Sequence, residues 1–235
     1  MRICIISDLH ANLEALLALP QDFDQLWVLG DLVNYGPNPK EVIDFVRAHA
    51  STVIRGNHDH SVGFGTDCGC SPRFRAMAEA TRDYTASVLS AADKQYLRDL
   101  PTSVSRQING EVCFLCHATP SDLLYEYRPP DSQLWAREEE ASSDANIILA
   151  GHTHLQFSRT VGERLIVNPG SLGQSKMGDP RARYAIWQEG KIELHALEYP
   201  VERTAAKISA LDLPAEIKTD LTAVLRTGSV PGRSS

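Results

Sequence analysis

The sequence has no long apolar run. The stretch Arg2-Ile3-Cys4-Ile5-Ile6 near its start is cut off at once by Ser7-Asp8-Leu9-His10. A membrane-spanning helix needs about 20 apolar residues, so none is expected. The run is also too short for the apolar region of a signal peptide. A cytoplasmic location and no membrane partner are the expectation. Positive charge is scarce as well: 23 Lys and Arg against 30 Asp and Glu leave a net charge of −7. That argues against an extended nucleic-acid or acidic-lipid surface, because such binding neutralises phosphates with Lys and Arg. It leaves room for a small phosphorylated substrate, since a bound metal can supply positive charge locally.

Cysteine is sparse, and its 5 residues are an odd number. Cys113 and Cys116 lie three apart in the apolar run Val112-Cys113-Phe114-Leu115-Cys116. They should face opposite sides of a strand, which argues against a redox pair or a shared metal. Buried thiols in a reducing compartment are expected. Cys68-Gly69-Cys70 reads as a flexible loop, with a surface thiol pair as the sharper alternative. No internal repeat and no domain-splitting linker is present.

What the chain does have is an alternation of short apolar strands and helices. Strands are expected at Arg2 to Ile6, Gln25 to Leu29 and Ser51 to Ile54. Between them, Asn12 to Leu19 and a segment capped by Asn38 and opened by Pro39 read as helices. This order predicts parallel strands with right-handed crossovers. Gly56 to Asp59 reads as a tight turn, and Val62 to Thr66 as a mobile glycine-rich stretch. Pro72 to Leu89 and a segment capped by Ser90 and Asp93 read as helices, within an insertion at about 61–101 covering one edge of the site. A hairpin is expected around Asn109-Gly110. A polar helix follows from Ser132 to Glu140, with Arg137 to Glu140 as its solvated end. Later strands at Ala145 to Leu149, Phe157 to Val161, Arg164 to Val167, Tyr184 to Gln188 and Ile192 to Leu197 read as antiparallel neighbours. Pro200 to Leu225 is helical in pattern. A single domain over 1–226 and a disordered tail at 227–235 are the expectation.

Several expected strands end in metal-type residues. The first delivers Asp8 and His10, the second Asp31, the third Asn57 and His58. His117 follows Cys116, and His152 and His154 follow Leu149. Open α/β sheets place their chemistry at such strand ends. A mixed imidazole and carboxylate set suits divalent Mn, Fe, Zn or Ni. Two such ions can share a carboxylate and activate a water between them.

These residues carry a family resemblance. Asp8-x-His10, Gly30-Asp31, Gly56-Asn57-His58-Asp59, His117 and Gly151-His152-x-His154 occur in the order seen in calcineurin-like metallophosphoesterases. The resemblance runs from residue 2 to about 200 and is closest to the compact prokaryotic phosphodiesterase branch. It implies a four-layer α/β/β/α sandwich of two mixed sheets flanked by helices. It implies two divalent ions, with manganese the first choice. Asp8, His10 and His154 would bind one, Asn57, His117 and His152 the other, and Asp31 both. His58 takes the place of the family's catalytic histidine. The protein-phosphatase branch pairs that histidine with an Asp followed by an Arg; here Asn34 and Tyr35 stand there, with Asn34 a candidate substrate contact. The departure argues against phosphoprotein substrates.

The expected function is hydrolysis of a small phosphodiester or phosphomonoester. Hydrolysis of a dinucleoside polyphosphate is the alternative, and a non-catalytic metal-binding scaffold a second one. Asp59 reads as a turn-holding carboxylate, His49 and His60 as surface residues, and His195 as structural. Asn168 to Gly173 reads as a closing loop, or as backbone support for the ligand loop. Tyr125, Tyr127 and Arg128 read as a base and phosphate grip, or as a packing or dimer contact.

Overall fold

Apolar residues on both faces of β1 (Arg2–Ile6) demand cover on both sides. Ile3 and Ile5 point into one core, and Cys4 and Ile6 into another. A strand buried on both faces belongs inside a layered sheet. The computed structural model describes residues 1–71, 74–136, 142 and 144–229, and it places β1 at the centre of five strands. β2 (Gln25–Val28) and β3 (Thr52–Val53) continue in parallel, linked through α1 (Leu13–Leu17) and α2 (Pro39–His49).

A second five-stranded sheet faces the first. Its members are β4 (Ser103–Ile108), β5 (Glu111–Cys116), β6 (Ile147–Leu149), β7 (Phe157–Val161) and β8 (Arg164–Asn168), in the order β4-β5-β6-β8-β7. Asn109 and Gly110 turn β4 into β5 with φ of 49° and 90°, the two left-handed residues that a type I′ hairpin turn requires. β9 (Ala182–Gln188) and β10 (Lys191–Leu197) return to the first sheet, which is ordered β10-β9-β1-β2-β3. The expected antiparallel neighbours are found in β7 with β8 and β9 with β10, but β6 departs from that pattern. β6 runs parallel to both β5 and β8. Its pattern is an uninterrupted buried Ile-Ile-Leu, the signature of a strand covered on both faces rather than of a half-exposed hairpin.

The inter-sheet core is built from Ile3, Ile5, Trp27, Leu29, Leu115, Leu149, Val167 and Trp187. Each large apolar side chain buried there contributes roughly 1.5–3 kcal/mol. Cys113 joins this core while Cys116 packs on the outer face with Phe114, Ile148 and Trp135, so the two thiols do face apart. Helices α1 and α2 cover the outer face of the first sheet. Trp135, on a 3-10 helix at Gln133–Ala136, covers part of the second. The remainder of the expected 132–140 helix, including Arg137 to Glu140, lies outside the described residues. The chain is therefore an α/β fold of two mixed sheets flanked by helices.

Three local expectations change. Gly56 to Asp59 is not a free turn but the start of α3 (Asn57–Phe64), with Gly56 at the N-cap. The stretch expected to be mobile is mostly the end of that helix, which Gly65 closes at φ 70°. Asn38 precedes α2 without capping it; its side chain donates to Glu41 and accepts from Lys207. Downstream, α4 (Arg75–Val88) begins later than Pro72, and Pro72 itself lies outside the described residues. Ser90 and Asp93 form the expected capping box on α5 (Ala91–Asp99), a feature worth about 1 kcal/mol. The expected single helix from Pro200 is two, α6 (Val201–Ala210) and α7 (Ala215–Thr227), because Pro214 cannot continue a helix. Thr227 ends α7 and Gly228 caps it, so these two residues belong to the helix and its cap rather than to the expected tail; residues 230–235 lie outside the described residues. No described helix is long and apolar enough to cross a membrane.

Candidate metal centre

The carboxyl ends of the inner strands converge. Asp8 and His10 follow β1, Asp31 follows β2, Asn57 opens α3 after β3, His117 follows β5, and His152 and His154 follow β6. Among the described residues, eight of the ten non-glycine positions with positive φ lie in these loops: Asp8, His10, Ala11, Asp31, Asn34, Tyr35, His152 and His154. Such conformations cost roughly 1–3 kcal/mol each and persist where the surroundings impose them.

The side chains form two buried groups, Asp8 with His10 and His154, and Asp31 with His117 and His152. Within each, the donor atoms lie within 4.8 Å of one another. The ring orientations are set from behind. Nδ1 of His10 donates to the Val33 carbonyl at 3.1 Å, and Nδ1 of His154 to the Gln174 carbonyl at 2.5 Å. A carbonyl only accepts, so each Nδ1 carries the proton and each Nε2 presents a lone pair. Those two Nε2 atoms face each other at 3.1 Å. Burial lowers the His10 pKa to about 3 and pushes His154 well below its ordinary value, so neither ring supplies a proton to share. Asp8 Oδ1 lies 3.4 Å from His154 Nε2, buried and without a hydrogen-bond partner. Two facing lone pairs beside an orphaned carboxylate oxygen fit a cation.

The second group is oriented from behind in the same way but differs in charge. Burial of the His117 ring is outweighed by the Asp31 carboxylate, which raises its pKa to about 9, so its Nε2 holds a proton toward Asp31. His117 Nδ1 donates to the Leu29 carbonyl at 2.8 Å, leaving Nε2 at 3.2 Å from Asp31 Oδ2 and 3.0 Å from Asn57 Oδ1. His152 Nε2 donates to the Tyr125 carbonyl at 3.2 Å, leaving Nδ1 at 3.2 Å from the same Asn57 oxygen. The Asn57 amide donates to the Cys68 carbonyl at 2.6 Å, which turns its oxygen toward the histidines. Asp31 Oδ2 also lies 3.9 Å from His10 Nε2 and so reaches both groups. Burial alone would protonate Asp31, but His117 and His58 outweigh it and hold the carboxyl well below its usual range. Carbonyl partners behind metal-type histidines fix ring and tautomer. All seven expected ligand residues are thus brought together, and their donor set fits a pair of first-row divalent ions.

His58 stands beside them. Its ring lies edge-on to His10 at 5.1 Å and tilted against Tyr35 at 4.8 Å. The Asn34 amide nitrogen is 3.0 Å from its Nδ1. With that nitrogen donating, the ring proton sits on Nε2. Burial lowers the His58 pKa to about 4, so the ring is a neutral donor at neutral pH. Asn34 therefore touches His58. Asp59 accepts from the backbone N–H of Asp31, Leu32 and Gly56, tying the loops after β2 and β3 together. The 168–173 segment supports the ligand loops: Ser171 and Gly173 donate to the Asp8 carbonyl, and Asn168 to that of Gly151.

Other expectations resolve differently. Arg128 does not project toward the ligands; it is buried against Trp135 and donates to Glu126 and Ser121. Tyr127 lies against His152, with ring centroids 4.2 Å apart. Cys68 is buried and Cys70 half-buried, both packed near Tyr35 and Met77, and their side chains hydrogen-bond to each other, so the two thiols form a partly buried pair rather than a surface one. His60 is half-buried and stacks on Phe64, His49 is exposed, and His195 stacks on Tyr184 in its strand. Sequence reasoning missed Lys176, whose charge acts on Asp8 and on four of the site's histidines. A lone basic residue shortly after the Gly173 turn was the available signal.

Two facing sheets whose strand ends deliver paired His and Asp groups define a metal-dependent hydrolase of phosphoric esters. The chain belongs to the calcineurin-like phosphoesterase superfamily, whose domain model matches residues 1–190. Members of this family depend on two metal ions. An uncharacterised protein of Methanocaldococcus jannaschii is 29% identical over 90% of this chain and 93% of its own length. A metallophosphoesterase from Sphaerobacter thermophilus shares the structure with a TM-score of 0.80 and 31% identity, covering 97% of this chain and 100% of that one. A hypothetical protein from Pyrococcus horikoshii has the same fold, with a TM-score of 0.82 at 20% identity over 98% of this chain and 99% of that one. A symmetrical bis(5'-nucleosyl)-tetraphosphatase from Nitrosococcus oceani is 41% identical over 85 residues, 33% of this chain and 28% of that enzyme.

Proposed function

We propose that this protein hydrolyses a small phosphodiester or phosphomonoester at the site described. Asp8, His10 and His154 would hold one ion and Asn57, His117 and His152 the second, with Asp31 within reach of both groups. The observation that carries this reading is the pair of deprotonated Nε2 atoms on His10 and His154, 3.1 Å apart beside a buried, unbonded Asp8 oxygen. When bound, divalent ions polarise phosphoryl oxygens and acidify water. The protein's own part is to hold the substrate between the ligand loops and to aim His58 at it. With Nδ1 occupied by Asn34, the His58 Nε2–H donates to an oxygen that gains negative charge as the ester breaks. A neutral amide cannot favour imidazolium as a carboxylate does, so stabilisation of charge fits His58 better than delivery of a proton. Asn34 acts through His58.

The test is hydrolysis of bis-p-nitrophenyl phosphate with manganese, together with metal content by mass spectrometry. His117→Ala and Asp31→Asn are expected to lose activity and at least one metal equivalent. Full activity in either variant would overturn the assignment. Manganese is the first ion to test, followed by Fe, Zn and Ni, all of which suit these donors.

A second reading is hydrolysis of dinucleoside polyphosphates. It is favoured by the similarity to the Nitrosococcus oceani tetraphosphatase, which spans only 28% of that enzyme. The ratio of pyrophosphate to diester turnover in a substrate panel separates the two.

A further inference from the structure

Among the described residues, the exposed Phe, Tyr and Trp side chains are Phe64, Tyr125 and Tyr127, at 48%, 38% and 51% of full exposure. All three belong to segments that build the second ligand group. Asn57 opens the helix that Phe64 ends, and the Tyr125 carbonyl orients His152. The Tyr127 ring lies against the His152 ring, with centroids 4.2 Å apart and planes at 54°. His60 links the other two: its ring stacks on Phe64 at 4.5 Å and meets Tyr125 edge-on at 6.5 Å. Single exposed apolar residues need no explanation, but rings gathered at one rim do.

The loop that carries the two tyrosines is held fast. The Asp122 carboxylate accepts from the backbone N–H of Leu124 and Tyr125, and the Ala118 N–H donates to the Leu123 carbonyl. Glu126, between the tyrosines, accepts from Thr119, Ser121 and the buried Arg128. The Tyr125 ring rests on Gly69, where a Cβ would stand 2.7 Å from its Cδ1. A loop fixed this firmly, yet turning two large rings to solvent, is preorganised for a contact. Its position says which. Under the phosphoesterase reading the phosphoryl group lies among the ligand residues, and Tyr127 touches one of them. What covers Tyr127 is then the part of the substrate joined to that phosphate. Aromatic faces pair best with other planar rings. A phosphate and a planar ring in one small molecule describe a nucleotide. The net charge of −7 argues against a long strand.

We propose that Tyr127 stacks on a nucleobase of the substrate, with Tyr125 and Phe64 extending the surface, so that the esters cleaved here carry a nucleoside. This deepens the proposed phosphoesterase reading and rests on it. Stacking uses the π-face that every base has. The site therefore selects for a base over none, with little preference among bases.

The test uses manganese-loaded full-length protein and calorimetry with two probes, adenosine 5'-monophosphate and ribose 5-phosphate, the second lacking the base. The unmodified protein is expected to bind the nucleotide about fivefold to a hundredfold more tightly, the range for one base stacked on an aromatic ring. Tyr127→Ala is expected to lose most of that advantage, with far less effect on ribose 5-phosphate. Tyr127→Phe keeps the ring and should keep the advantage. Tyr127→Leu keeps bulk against His152 without the ring; it should lose the advantage with its manganese retained, which separates lost stacking from a disturbed ligand. Equal affinity of the unmodified protein for the two probes would overturn the proposal. So would an advantage that survives in both Tyr127→Ala and Tyr127→Leu. A dimer that dissociates in those variants on a sizing column, with the advantage retained, would overturn it in favour of a contact between copies. If the unmodified protein binds no manganese and cleaves neither p-nitrophenyl phosphate nor bis-p-nitrophenyl phosphate, the phosphoesterase reading itself fails. If it cleaves them and prefers neither probe, only this inference does.

Discussion

Replacing Gly56 with alanine tests how closely the second ligand loop is packed. Gly56 has φ −92° and ψ 175°, an extended conformation open to any residue. The backbone therefore does not require glycine; the space does. A Cβ there would stand 2.1 Å from Asp31 Oδ1 and 2.5 Å from the Asp31 backbone nitrogen. Ordinary contact begins at 3.4 Å, so relief needs a shift of about 1 Å or more. The atom that must move is the oxygen that accepts from the His58 backbone at 2.9 Å, on the carboxylate that reaches both ligand groups. The Asp31 nitrogen is meanwhile held by Asp59 at 2.8 Å. Overpacking of this kind costs roughly 1–3 kcal/mol of stability. Misplacing a catalytic group by about 1 Å costs on the order of a hundredfold in rate. Gly56→Ala is therefore expected to fold with a lowered melting temperature, to retain less manganese after dialysis, and to hydrolyse bis-p-nitrophenyl phosphate about a hundredfold more slowly. Gly65→Ala is the control. Gly65 has φ 70°, and no heavy atom lies within 4 Å of its added Cβ. It should lose about 1 kcal/mol of stability from backbone strain and keep its metal and its rate. Unaltered metal content and turnover in Gly56→Ala would refute the claim that Asp31 is held in place by this contact.

Two further outcomes follow from the same structure. Chelation of bound metal is expected to lower the melting temperature, and excess manganese to raise it. An ion at a thousand times its dissociation constant stabilises the folded state by about 4 kcal/mol, and calorimetry with and without chelator checks this. Glu126 gives an acid-stability prediction. Burial works against its charge, but hydrogen bonds from Arg128, Thr119 and Ser121 prevail and hold its pKa down at about 2. A depressed carboxyl stabilises the fold fully above its unfolded value of about 4.5. That contribution is lost as pH falls from there toward 2. Glu126→Gln should therefore melt lower at pH 7, and the gap should narrow on acidification; a gap independent of pH would count against the network.

Much of the site was legible in the sequence, because its chemistry is local to strand ends. Asp8, His10, Asp31, Asn57, His117, His152 and His154 each follow an apolar run, and a parallel sheet must gather such ends on one edge. The misreadings have local causes too. Gly56 and Asp59 looked like turn residues because glycine and aspartate favour turns, whereas the loop after β2 gives Asp59 its partners and lets a helix start. Gly63 and Gly65 looked mobile because glycine is flexible in isolation; Gly65 instead supplies the left-handed cap that ends α3. Arg128 looked available for phosphate until Glu126 and Ser121 came within reach.

Strand and helix periodicity, and the order of the ligand residues along the chain, determined the fold class and the metal chemistry. Those properties depend on residue type and spacing, which the sequence holds in full. The tertiary structure decided which nitrogen each histidine presents, because that is set by carbonyls of Val33, Leu29, Gln174 and Tyr125, and carbonyls are the same in every residue. It also decided that Asn34 touches His58. Contacts between segments 20 to 88 residues apart have no periodicity to betray them.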